Sequence, residues 1–130
     1  MKQEHRELVE QLRPARRVLV VDDHQGFRSC ARALLTAEGF EVVGEAADGA
    51  AALTLAAELE PELVLLDIRL PDIDGFEVAS RLLAQRRDLK IVLVSSRDRD
   101  AYGPLIEASG AVGFISKAEL SGIALEGFLV

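Results

Sequence analysis

Cysteine is almost absent: the 130 residues contain one, Cys30, so an internal disulfide is excluded and a reducing cytoplasm is the expected setting. No apolar run approaches the roughly 20 residues that a membrane-spanning helix needs, and no leader-like pattern opens the chain. Basic residues are in deficit, with 15 Lys and Arg against 22 Asp and Glu and a formal net charge of -7. Binding to phosphate backbones draws on clustered Lys and Arg, so nucleic acid is not an expected partner. Internal repeats and low-complexity stretches are also missing.

Apolar material is plentiful. Hydrophobic residues make up 49% and charged residues 28%, which supplies a core and a solvated surface and excludes a disordered chain. This length suits one domain, expected over residues 16–130. Residues 1–15 fall outside the pattern and are expected to be an extension, either a frayed arm or a short helix with Leu8, Val9 and Leu12 on one side.

From Val18 onward, short apolar runs alternate with segments of helical period, as in a parallel sheet covered on both faces. The runs 18–21, 41–46, 63–66, 91–94 and 113–116 predict five strands. Phe27 to Leu35, with Gly39 as its stop, predicts the first helix, and Asp48 caps the second, which Pro61 ends. Phe76 to Leu83 predicts a third, Pro104 to Ser109 a short fourth beginning at a Gly103 cap, and Leu120 to Leu129 a fifth. The run 63–66 shows no polar alternation, as expected of a central strand, and ends abruptly in Asp67.

Ligands of parallel α/β sheets bind beyond the carboxyl ends of the strands. There the sequence places Asp22 and Asp23 after the first strand, Asp67 after the third, Ser95 after the fourth and Lys117 after the fifth. One carboxylate at a strand end is commonly a helix cap, but three together repel unless a cation lies among them. A hard ion with oxygen ligands, such as magnesium, meets that need. Carboxylates also accept phosphoryl groups as acyl phosphates, and the oxygens of such a group call for an ammonium and a hydroxyl or amide donor. Asp67, Lys117 and Ser95 supply these three roles.

The motifs Val18-Leu19-Val20-Val21-Asp22-Asp23-His24, Leu65-Leu66-Asp67-Ile68-Arg69-Leu70-Pro71 and Asp74-Gly75, with Ser95, Phe114 and Lys117 in order, resemble those of the receiver domains of two-component response regulators. The resemblance to these CheY-like domains covers about residues 16 to 130 and is nearest in style to receivers of NarL/LuxR-type regulators, which carry a helix-turn-helix output domain that is absent here. It implies a doubly wound five-stranded parallel sheet of flavodoxin-like order 2-1-3-4-5 with five helices. It implies that Asp67 takes a phosphoryl group from a histidine kinase or phosphotransfer protein. It also implies that Asp23 and Asp67, with Asp22 nearby and the backbone carbonyl of Arg69, hold Mg2+. Ser95 and Phe114 would act as switch residues that remodel the surface of the fourth helix, fifth strand and fifth helix. The signal would pass to a downstream protein or an output domain, with a homodimer as a further candidate assembly. Such a domain catalyses only its own phosphorylation and dephosphorylation. The chain ends where the last receiver helix is expected to finish, which leaves open a single-domain regulator and an excised receiver.

Three positions depart from the pattern or stand beside it. Ala118 replaces the proline that often follows the family's lysine, so a trans bond is expected there. Arg69 is expected to influence water attack on a phosphorylated Asp67. His24 is read as the start of the first helix and not as a ligand. Two rival classes are an aspartate-nucleophile phosphohydrolase, whose Asp-x-Asp motif is missing because Arg69 stands two residues after Asp67, and a phosphorylation-independent interaction module.

Overall fold

Val18 to Val21 and Leu63 to Leu66 have no polar side to turn toward solvent, and in a computed structural model describing residues 16–129 they lie side by side at the centre of a parallel sheet. The strands are β1 (Arg17–Val21), β2 (Glu41–Ala46), β3 (Leu63–Asp67), β4 (Lys90–Ser95) and β5 (Gly113–Ser116), in the expected order β2-β1-β3-β4-β5. The expected extension 1–15 lies outside the described residues.

Each central strand feeds two cores because successive side chains point to opposite faces. Leu19, Val21, Val64 and Leu66 pack on one face with Ala52 and Ala56 of α2 (Gly49–Leu59) and Val78, Ala79 and Leu82 of α3 (Gly75–Gln85). Ile106 of α4 (Leu105–Ala108) joins that core. Val18, Val20, Leu63 and Leu65 pack on the other face with Ala31 and Leu35 of α1 (Gln25–Ala37) and Leu125 of α5 (Gly122–Leu129). Helices on both faces explain why Val18 to Val21 of β1 and Leu63 to Leu66 of β3 are apolar without alternation.

Local chemistry sets the helix ends. The amide of Phe40 donates to Leu35 O at 2.9 Å and that of Gly39 to Thr36 O at 3.2 Å, with Gly39 at φ +94°, so the glycine stop of α1 forms as expected. Asp48 caps α2 by accepting from the Ala51 amide at 2.7 Å. The fourth helix is shorter than its sequence suggests. Gly103 adopts φ +54° as a turn residue, and a 3-10 turn over Arg99–Ala101 runs into it, so α4 keeps four residues. In β2 the alternation expected from sequence is interrupted, since the pairing slips between Val18 and Leu19 and leaves Val43 as a bulge opposite β1.

The chain leaves β3 through a tight loop that Gly75 makes possible. Its amide donates to Ile68 O at 2.7 Å, and a Cβ on Gly75 would collide with the Asp67 carbonyl and lie 2.7 Å from Ile68 Cα. Backbone cannot yield as a side-chain tip can. Gly75→Ala is therefore expected to destabilise the domain by about 2 kcal/mol or more, as overpacking does, read as a lowered midpoint in urea unfolding. Among the described residues, no helix is long and apolar enough to cross a membrane.

Candidate functional site

The crevice at the carboxyl ends of the strands is built by β1, β3, β4 and the residue after β5. Asp22 is fully buried, Asp67 is 3% exposed and Ser95 2% exposed, whereas Asp23 is open to solvent. Lys117 begins a 3-10 turn just after β5 and brings Nζ to 2.7 Å from Asp22 Oδ2 and 3.5 Å from Asp67 Oδ2. Its stem crosses the sheet's end with the ammonium 4.6 Å from the ring centre of Phe27 on α1. Among the described residues no peptide bond is cis, so Ala118 follows Lys117 through the expected trans linkage.

The acidic end of β1 is held from several sides. The Asp22 amide donates to Ala46 O at 3.0 Å, and Arg28 Nη1 donates to the Asp22 carbonyl at 2.7 Å while its Nε pairs with Glu45 at 3.3 Å. His24 is the residue before α1, as expected, and its amide donates to Asp22 Oδ1 at 2.8 Å. Its ring nevertheless sits at the site, with Nδ1 3.2 Å from Asp22 Oδ1 and 3.0 Å from Asp23 Oδ1.

Burial, and after it the charge of Asp22, raises the Asp67 carboxyl from its usual 3.8 to about 6, against the pull of Lys117 and of the Arg69 amide, which donates to Asp67 Oδ1 at 3.3 Å. Burial opposes the charge on Lys117, but its close contact with Asp22 and the charges of Asp67 and Asp22 outweigh it and hold the ammonium above the ordinary lysine range. Two of the three carboxylates at the site face this one ammonium. Asp22 Oδ2 accepts no properly directed hydrogen bond although Lys117 lies close, so a buried anionic oxygen is left with only an ionic contact. Asp22, Asp23, His24 and Asp67 each offer a ligand atom within 4.8 Å of the others, so the group could hold a metal. A buried carboxylate oxygen without a directed hydrogen bond and a surplus of negative charge fit a hard divalent cation.

Ser95 and Phe114 stand beside this group in a different relation. Ser95 Oγ lies 2.5 Å from Tyr102 Oη and accepts from the Arg97 amide at 3.1 Å. Phe114, half-buried on β5, packs against the Tyr102 ring. Arg69 has an exposed side chain on the loop after Asp67.

Tyr102 and Asp72 carry contacts that sequence reading misses. The Asp72 carboxylate accepts from the amides of Gly49 and Ala50 at 2.8 and 2.9 Å, and these bonds hold its carboxyl down at about 2. It ties the loop after β3 to the start of α2. The only signal in the sequence was an acidic residue in the loop after Pro71, too common to single out.

Fold and crevice together define a doubly wound α/β domain with an acidic site that could hold a cation at its topological switch point, between β1 and β3. The family model of the response regulator receiver domain matches residues 18–122. The response regulator GacA of Pseudomonas aeruginosa is 40% identical over 102 residues, which make up 78% of this chain and 48% of GacA. The signal receiver domain of NarL from Mycobacterium tuberculosis superposes with a TM-score of 0.77 at 37% identity, covering 89% of this chain and 98% of that one. A two-component response regulator of the LuxR family from Aurantimonas gives 0.82 at 30% identity, covering 89% and 86%. The chain belongs to the response regulator receiver domain family. It is a signalling module of two-component systems, and it spans about half the length of the curated relatives it matches.

A raised carboxyl has a stability consequence. Above pH 6 Asp67 is charged in both folded and unfolded chains, so the folded state carries the full cost of its burial; as pH falls from 6 toward 3.8 the folded state takes up the proton first and the cost disappears. Without divalent cation, Asp67→Asn is expected to stabilise the domain at pH 8 by roughly 1 to 3 kcal/mol and to lose that advantage near pH 4. Thermal melts across that range, in chelator, check the sign.

Proposed function

We propose that Asp67 is the phosphoacceptor, that Asp22, Asp23, Asp67 and the Arg69 carbonyl hold Mg2+, and that a histidine kinase or phosphotransfer protein is the donor. The carrying observation is the buried Asp67 at the end of the central strand, with Lys117 Nζ 3.5 Å away and two further carboxylates beside it.

The chemistry follows from these groups. One Asp67 oxygen attacks the phosphorus of a phosphohistidine, the phosphorus-nitrogen bond breaks, and its electron pair returns to the imidazole, which takes a proton. When bound, Mg2+ would neutralise the oxygens of the transferring group and the surplus charge of the carboxylates. Lys117 keeps Asp67 ionised for attack and offers its ammonium to a phosphoryl oxygen afterwards. Water attack on the acyl phosphate releases inorganic phosphate and restores the carboxylate. Because every charged partner of Asp67 comes from another strand or loop, a doubly charged group added there redistributes forces among the elements that meet at the crevice.

Ser95 and Phe114 are the proposed relays from that charge to the surface of α4, β5 and α5. The receiver of the signal is a downstream protein or an output domain such as the longer relatives contain room for, and a second copy of the chain is a further partner.

The direct test is incubation with Mg2+ and acetyl phosphate, followed by intact-mass measurement. One phosphate per chain is expected, with none in Asp67→Asn or in chelator. No phosphate from either the small donor or a cognate kinase would leave only a binding module. Arg69→Ala, which opens the mouth beside Asp67 without touching the carboxylates, is expected to change the dephosphorylation rate several-fold while leaving the attainable extent of labelling intact. An unchanged decay of the labelled protein would remove Arg69 from the mechanism.

A further inference from the structure

Tyr102, the single tyrosine of the chain, touches both groups that the switch requires to move. Its hydroxyl lies 2.5 Å from Ser95 Oγ. Its ring stands between Phe76, edge-on at 5.9 Å, and Phe114, tilted at 6.1 Å. It is the residue that ends the 3-10 turn over Arg99–Ala101. Ser95 is buried and its hydroxyl has one proton and two lone pairs. One lone pair accepts from the Arg97 amide at 3.1 Å. Either the proton or the second lone pair is then committed to Tyr102.

We propose that Tyr102 is a positioning residue that holds the resting state, its hydroxyl engaging Ser95 and its ring propping Phe114, so that a phosphoryl group on Asp67 must compete with Tyr102 for Ser95. The proposal rests on the reading of Asp67 as phosphoacceptor. A half-buried tyrosine suits the task because its ring packs as core while its hydroxyl supplies a polar partner. Removing only the phenolic oxygen leaves the ring contacts in place, and the Arg97 amide still satisfies Ser95, so Tyr102→Phe retains the fold. What it loses is one contact present in the resting state and absent from the switched one, and a state-specific contact shifts the balance between two states by its own strength.

Beryllium fluoride with Mg2+ mimics a phosphoryl group on a carboxylate and binds reversibly, so it reads that balance at equilibrium. Tyr102→Phe is expected to bind it about fivefold more tightly than the wild type, the size of one net hydrogen bond. The tightening should vanish when the same change is made on a Ser95→Ala background, because the partner is then already missing. The sequence has no tryptophan, so intrinsic emission reports Tyr102 alone, and the wild type should change its emission on saturation with beryllium fluoride. Unchanged affinity in Tyr102→Phe, an equal tightening on the Ser95→Ala background, or constant emission on saturation would each overturn the role of Tyr102 alone. No binding by the wild type, together with no phosphate on Asp67 from acetyl phosphate, overturns the reading of Asp67 and this proposal with it.

Discussion

The ammonium of Lys117 faces two buried carboxylates that arrive on two other strands, and most of the crevice is arranged around that contact. Asp22 and Asp67 are removed from water by the same packing that makes β1 and β3 central. Charges so placed are costly unless paired, and taking one partner away leaves the other uncompensated. The sheet order explains why the counter-charge is a lysine. β5 lies beyond β4, so a group from its end must cross one strand to reach β3 and two to reach β1, at about 4.8 Å per strand. A long aliphatic stem spans that gap, and Phe27 covers it. The nearer strand, β4, contributes the short hydroxyl of Ser95.

One ammonium does not balance three carboxylates, and the buried Asp22 Oδ2 has that ammonium as its one polar contact. The resting site carries a surplus of negative charge held between two packed faces of the sheet. The two cores give the strand ends little freedom, since close-packed interiors move between discrete arrangements more readily than they deform. What can move lies at the rim. α4 has four residues and a single buried side chain, Ile106, and it is joined to β4 by the loop that carries Tyr102. A segment with so little burial is held by fewer packing contacts than the sheet it joins.

The strands, the two-sided covering of the central pair and the acidic strand ends were legible in the sequence because each depends on a local pattern. A run such as Leu63-Val64-Leu65-Leu66 closing in Asp67 announces both a buried strand and the buried carboxylate at its end. Gly39 and Asp48 announce helix ends through short-range hydrogen bonds that form as expected. Less was legible where the backbone follows no period. The bulge at Val43 depends on pairing with β1, and the four-residue α4 depends on the turn that precedes it. The tie from Asp72 to α2 joins residues more than twenty apart, and Tyr102 meets Ser95 at the end of a 3-10 turn that has no apolar period.

By itself, therefore, the sequence determined the parallel sheet, its central strands and the set of residues at their carboxyl ends, since hydrophobic period and abrupt polar interruption are properties of adjacent positions. Only the tertiary structure decided which of those residues share charge. Lys117 stands closer to Asp22 than to Asp67, His24 leans on the acidic pair, and Ser95 is held by Tyr102. Coulomb and hydrogen-bond energies depend on separations of a few ångströms between groups far apart along the chain, and such separations exist only once the sheet has closed.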